Sequence, residues 1–419
     1  MFVAIRNTPR DYAWGSRTAI AEFMGVEPSG GPEAELWLGA HAGSPSKLLD
    51  AVEGGPSDLA DLIAADPVAA LGPEVAGRGP RLPFLMKVLA AGRPLSLQAH
   101  PTPEQARAGF EREEAEGPAI DAFDRNYKDP YAKPELVVAV SERFEALSGF
   151  RPIEEVAGIV ATLRAADAAS ARPQPGAIDL LTARLDGPDG LRETVAWLLL
   201  DGRGGDSGEA AWLIERVAAL AAGDEALATP YAASFLTVLD LAAEYPGDPG
   251  IVISLLLNRV TLRRGEALFL DAGNIHAYLE GLGIELMAAS DNVLRGGLTP
   301  KHIDVPELLE VLDFTPMAPP LLTPIEVAPG VLEYRPAGPD FTLFRVEGSG
   351  DTRLALSGPA LVLVEGAWAE VSSRSGLMRI ERGDALFVSP DERALSFEMA
   401  GTAWVATTTE RTTRPLPRA

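Results

Sequence analysis

Between about Pro152 and Asp248 the spacing of apolar residues changes, and this change constrains the architecture more than any other feature of the chain. Ile153, Val156, Val160 and Leu163, and later Leu213, Val217 and Leu220, recur three and four apart, as one face of a helix requires. Gly, Pro and Asp clusters, among them PGDPG at Pro246 to Gly250, divide the segment into several helices. On both sides the pattern is one of strands and turns. The chain therefore reads as mainly β with an all-helical insertion, and the strand-rich parts must pair across that insertion.

Before the insertion, AELWLGAH (Ala34 to His41) alternates as a short strand, Leu82 to Leu89 (LPFLMKVL) reads as a second, although the apolar run LPFLMKVLAA also allows a helix, and Leu95 to Pro101 (LSLQAHP) reads as a third. Thr102 is a good N-cap for the charged helix that continues to about Glu116, with Pro103 at the first helical position and Gln105 as capping-box partner. A loop, DRNYKDPYAKPE, leads to a Val-rich strand, LVVAV. After Gly250 the spacing predicts that strands return, with IVISLLLNRVTLRRGEALFLDAGNIHAYLEG. Within that stretch GEALFLDAGNIH (Gly265 to His276) is echoed by GDALFVSPDERA (Gly383 to Ala394). Each reads as Gly, an acidic residue, four strand residues and a turn, which predicts two related β-barrels. Ala394 stands where the first copy has His276, so the second copy offers no metal ligand there.

With 47% hydrophobic and 23% charged residues, the composition is that of a globular protein, and 419 residues are enough for two or three domains. The absence of Cys excludes disulfide scaffolds and thiolate zinc sites and favours an intracellular location. The N-terminal MFVAIRNTPRDYAWG lacks the apolar centre of a signal peptide, and no run of about 18 apolar residues occurs, so the expected compartment is the cytoplasm. A net charge of -24 argues against nucleic acid or an anionic membrane as partner. An anionic substrate would need a local cluster of Lys and Arg.

Only four His are present, so a transition-metal site has few imidazoles to draw on. Side chains two apart on a strand share a face, which aims Gln98 and His100 together and turns Leu97 and Ala99 the other way. His41 and His302 have no ligand-like neighbour and read as ordinary surface or packing residues. His276 comes after Asp271 and Gly273 in a turn that ends a strand. Glu135, at the start of an apolar strand, is either a carboxylate ligand or an exposed strand end. One Gln, two His and one Glu suit Zn²⁺, or another borderline divalent ion with an open coordination position, and point to catalysis rather than to a closed structural site.

LSLQAHP, KPE (Lys133 to Glu135) and the run from Gly273 to Lys301, GNIHAYLEGLGIELMAASDNVLRGGLTPK, closely resemble the type I mannose-6-phosphate isomerases, zinc enzymes of the cupin superfamily. YAWG, AELWLGAH and NYKDP (Asn126 to Pro130) are similar to the same family. The resemblance implies one zinc ion per chain on Gln98, His100, Glu135 and His276, an active-site role for Arg295, and interconversion of D-mannose 6-phosphate and D-fructose 6-phosphate. Gly296 stands where the family commonly has Ala. Moving a proton between adjacent carbons through an enediol needs oxyanion stabilisation and a base, for which Glu285 and a metal-bound water are the candidates. Arg295 keeps its proton and suits enediolate or phosphate contact. Lys133 and Lys301, with the Ser96 hydroxyl, supply the polar set a phosphosugar requires; away from the ligand motifs, such Lys residues would read as solvated surface charge. Tyr278 and Asp291 are placed in the same pocket, touching substrate or holding His276 and Arg295 in position. Met287, Ala288 and Ala289 read as core.

The expected fold is mainly β with an α insertion: two cupin-like jelly-roll barrels and an all-helical domain. Residues 1–150 and 251–320 make the catalytic barrel, 151–250 the helical insertion and 321–419 a C-terminal barrel without metal ligands. The expected protein is a monomer with a phosphosugar substrate and neither nucleic-acid nor membrane partners. Two other readings remain open: an isomerase of a different or unphosphorylated sugar, and a catalytically silent cupin that binds sugar or metal.

Overall fold

A computed structural model of the chain describes residues 1–51, 54–202, 207–348 and 352–409. Its strands form antiparallel sheets of ten, eight and four strands, joined by helices. The pairings trace open ladders rather than closed barrels among the described residues. Among the same residues no helix is long and apolar enough to cross a membrane.

The ten-stranded sheet is built around the long strand His276–Ala288. Its C-terminal part lies between Phe84–Ala91 and Glu135–Ala139, and its first residues lie between Phe144–Phe150 and the two-residue strand Gln98–Ala99. The segment 95–101 is thus strand at Gln98–Ala99 only; before it the backbone makes single bonds to two separate segments, Leu95 N–H to Tyr278 O of the long strand and Leu97 N–H to Gly297 O of a turn. The other two early strands run Glu35–Leu38 and Phe84–Ala91. Helix Pro103–Glu116 begins with the expected capping box: Thr102 Oγ1 accepts from Gln105 N–H at 3.2 Å, and Gln105 Oε1 accepts from Thr102 N–H at 2.9 Å.

The insertion consists of helices Ile153–Ala169, Pro175–Leu185, Gly190–Asp201, Glu209–Ala221, Asp224–Leu227, Ala232–Glu244 and Gly250–Leu256. The last corrects the expectation that strands return directly after Gly250; they return at Leu257–Leu262. IVISLL is buried at every position, and a segment buried on all sides carries no periodicity to separate helix from strand. The apolar faces of these helices share one core with Leu97, Ala99, Leu147, Phe150, Ile275 and Leu294. Leu97 and Ala99 thereby anchor their strand against the insertion, which leaves Gln98 and His100 to the opposite face.

The internal echo is also structural. Gly265 and Gly383 both take left-handed backbone, with φ of 84° and 82°, as a tight turn ahead of a strand allows for Gly. Their amides donate to Ala139 O and Val364 O at the same 2.8 Å. The acidic residues next in sequence, Glu266 and Asp384, each accept from the amide three residues back, at 2.8 and 2.9 Å. Strands Ala267–Leu270 and Ala385–Val388 then pair with Glu135–Ala139 and Ala360–Val364 in the same register, which sets Leu270 opposite Glu135 and Val388 opposite Ala360. The second copy therefore has Ala360 and Ala394 where the first has Glu135 and His276.

The eight-stranded sheet is made largely from C-terminal strands, yet it also takes in Phe2–Arg6, which pairs with Ala385–Val388. The first and last described strands, Phe2–Arg6 and Thr402–Thr408, thus share one sheet. No local pattern in the first residues announced that partner.

Candidate metal centre

Gln98 sits in its ladder between His276 on one side and Arg295 on the other. Cross-strand partners project to the same face, so an amide, an imidazole and a guanidinium lie in one row. Glu135 enters from the neighbouring strand. Its Oε1 lies 3.2 Å from His100 Nε2 and its Oε2 lies 3.4 Å from His276 Nε2. Ligand atoms of His100, Glu135 and His276 all lie within 4.8 Å of one another, and all three residues are buried.

Both rings are oriented by the backbone. His100 Nδ1 lies 2.8 Å from Asn292 O, and His276 Nδ1 lies 3.0 Å from Asn274 O. A carbonyl only accepts, so each Nδ1 carries the hydrogen and each Nε2 presents a lone pair to the centre. His100 Nε2 is buried and has no hydrogen-bond partner among the described residues. Such an atom costs free energy unless something electrophilic meets it, and a cation does. The protonation states agree. Burial pushes the His100 imidazole down to about 4 against the pull of Glu135. Burial also works to raise the Glu135 carboxyl, but Lys133, at 3.1 Å, and His100 hold it well below the usual range. A neutral His100 imidazole facing an ionised Glu135 carboxylate is the form in which these two side chains bind metal.

Beside this group lies a buried charge network. Lys87 Nζ is 2.9 Å from Glu285 Oε2 and 3.2 Å from Glu35 Oε1, and Glu35 Oε2 accepts from Trp37 Nε1 at 3.0 Å. Burial works against the ammonium, but Glu285 and Glu35 outweigh it and raise the Lys87 pKa. Burial keeps the Glu285 carboxyl raised even with Lys87 beside it, and likewise raises the Tyr278 phenol.

Two connected spaces open from the group. A small inner chamber of about 50 Å³ is lined by Glu135, His276, Tyr278 and Glu285 together with Glu35, Lys87, Gln98 and Lys133. The last four also line an outer cavity of about 500 Å³, whose walls include Ser96, Asp291, Arg295 and Lys301. Arg295 is held lower by burial, and Lys301 by burial and by Arg295.

Residues 2–153 match the family described as phosphomannose isomerase type I, catalytic domain. The mannose-6-phosphate isomerase of Escherichia coli is 37% identical over 399 residues, covering 94% of this chain and 96% of that protein. The chain belongs to the type I phosphomannose isomerase family. The human mannose-6-phosphate isomerase is 32% identical over 409 residues, covering 91% of this chain and 92% of that protein. A crystal structure of a zinc-bound mannose 6-phosphate isomerase matches with a TM-score of 0.84 and 32% identity over 98% of this chain and 100% of its own.

Measured against the pattern of the phosphomannose isomerases, the residues singled out from sequence converge: ten of them line the two spaces, and His100 closes the group from behind. Gly296 departs from the family's common Ala without consequence, since a methyl there would meet its nearest heavy atom at 3.4 Å. Glu285 lies in the inner chamber only. Met287 is core and also cavity wall. His41 packs edge-on to Trp37 and His302 against Phe123, as packing residues do. His41 Nε2 additionally meets Asp291 Oδ1 at 3.2 Å on the cavity rim. Sequence reasoning missed Lys87, Glu35 and Trp37. A Lys in the middle of LPFLMKVL was the available signal, because an ammonium in an apolar strand implies buried carboxylates.

Proposed function

We propose that this protein interconverts D-mannose 6-phosphate and D-fructose 6-phosphate with one zinc ion held by Gln98, His100, Glu135 and His276. The observation that carries the reading is the orphaned, backbone-oriented Nε2 of His100 facing Glu135 and His276, next to a cavity of sugar-phosphate size. Zinc there supplies an electrophile that withdraws charge from the sugar oxygens at the reacting carbons. Arg295, always cationic, stabilises the enediolate beside Gln98. Lys301 and Ser96 receive the phosphate, and a dianion relieves the repulsion between Lys301 and Arg295, while Lys133, held 3.1 Å from Glu135, meets the sugar at its reacting end. Glu285, with its raised pKa, carries the proton between carbons 1 and 2 when these sit at the mouth of the inner chamber, between Gln98 and Lys133. Tyr278 and Asp291 position the ligands and the rim.

The domain reading that fits is a catalytic cupin-like unit from residues 1–150 and 251–320, a helical insertion over 151–250 and a metal-free cupin-like unit over 321–419. The matched turns and register of the two copies support the kinship, and Phe2–Arg6 joins the C-terminal unit. A monomer in the cytoplasm, without a nucleic-acid partner, fits the Cys-free composition and the net charge of -24.

The test is steady-state kinetics on mannose 6-phosphate and on mannose. Turnover of the phosphosugar alone supports the reading, equal turnover of both places the specificity elsewhere, and turnover of neither by zinc-loaded protein leaves only a binding module.

A further inference from the structure

Leu298 is one of two non-Gly residues with positive φ among the described residues, at 55°. Left-handed backbone is unfavourable for a branched side chain and persists only where neighbours impose it. Here the neighbour is Asp248, whose Oδ1 accepts from Leu298 N–H at 2.8 Å and from Gly250 N–H at 2.7 Å. Gly250 adds a steric condition, since a Cβ there would lie 2.7 Å from Leu298 Cγ. The Leu298 side chain is buried in the core it shares with the insertion.

The turn matters because it leads directly into a wall of the substrate cavity. Thr299 and Pro300 line the outer cavity on one side and a second cleft of about 370 Å³, shared with Tyr245 to Pro249, on the other. Thr299 is buried while Pro300 and Lys301 are exposed, so the place of this wall follows from the turn that leads into it. Lys301 stands at its end, with its amide donating to Thr299 Oγ1 at 3.1 Å.

We infer that Asp248 is a positioning residue: by clamping Leu298 in left-handed backbone it holds the Thr299–Pro300 partition and sets Lys301 against the substrate phosphate. The helical insertion then tunes substrate affinity from outside the cavity. This rests on the reading of Lys301 as a phosphate contact, and the test separates the two.

The experiment is a double-mutant cycle of Asp248→Ala and Lys301→Ala on the zinc-loaded enzyme, reading KM and kcat for mannose 6-phosphate, inhibition by inorganic phosphate, and bound zinc. Asp248→Ala is expected to raise KM and weaken phosphate inhibition by about tenfold, with zinc content and kcat near those of the parent. In the Lys301→Ala background the same substitution changes KM little. Asp248→Asn keeps an acceptor oxygen and restores most of the affinity. If the alanine chain does not fold, Asp248→Glu, which displaces the carboxylate by one methylene, takes its place in the cycle under the same criterion. If Lys301→Ala leaves KM unchanged, the assignment of Lys301 fails and the inference with it. If Lys301→Ala raises KM and Asp248→Ala adds its full factor on top, Lys301 stands and the clamp is overturned. An asparagine variant as poor as alanine overturns it too.

Discussion

The ammonium of Lys87 lies 2.9 Å from the carboxylate of Glu285, and the two face each other directly across adjacent antiparallel strands. With Glu35 they form a buried trio in which one cation serves two carboxylates. Removing the cation leaves buried negative charge without a partner, which costs about 3–5 kcal/mol. Lys87→Met is therefore expected to lower unfolding stability by that order in urea denaturation, and Glu285→Gln in the same background to restore part of it. An unchanged unfolding midpoint for Lys87→Met would show that the trio does not depend on its cation.

The metal ligands and the cationic wall separate by phenotype. His276→Ala is expected to lose both zinc and turnover, since the centre keeps only one imidazole. Arg295→Ala keeps the zinc and loses on the order of 10² to 10³ in kcat, as removal of a preorganised oxyanion partner does. Metal analysis of the purified variants alongside steady-state rates decides the matter. Near-parental activity in Arg295→Ala removes it from the site.

Stability of the metal-free protein should depend on pH through His100. Its folded-state pKa of about 4 lies below the ordinary value of 6.5, so the fold favours the neutral ring. The stability is full above pH about 6.5 and falls as the pH drops, levelling off near 4 after a loss of a few kcal/mol. Glu135, lowered in the fold, adds its own loss only below the usual carboxylate range. Urea midpoints of the metal-free chain between pH about 7 and about 5 should therefore fall, and His100→Asn should flatten the slope. A flat profile in the parent chain contradicts a buried neutral imidazole.

The capping box offers a control remote from the metal. Thr102→Ala deletes the acceptor for Gln105 N–H and is expected to cost about 1 kcal/mol in thermal or urea unfolding. Zinc content should be unaffected.

How far the sequence reached depends on the range of the interactions involved. Gln98 and His100 share a face because strand geometry is local, and Thr102 caps a helix because its partner is three residues away; both were legible. Glu135 and His276 were legible as ligands chiefly through family motifs, since their meeting depends on register between strands far apart in the chain. Lys87, Glu35 and Trp37 went unread because a lone charge in a strand does not say which carboxylate it faces. The pairing of Phe2–Arg6 with the C-terminal sheet went unread for the same reason. Gly250–Leu256 was misjudged on other grounds, as complete burial erases the periodicity that tells a helix from a strand.

The central claim is that a single zinc ion at His100, Glu135, His276 and Gln98 makes this chain an isomerase of mannose 6-phosphate. Its most direct test is to strip the protein with a chelator and add zinc back stepwise while monitoring mannose 6-phosphate turnover in a coupled assay. Activity should be absent from the stripped protein, rise in proportion to bound zinc and break at one ion per chain. Full turnover without metal, or none in the zinc-replete protein, would contradict the claim.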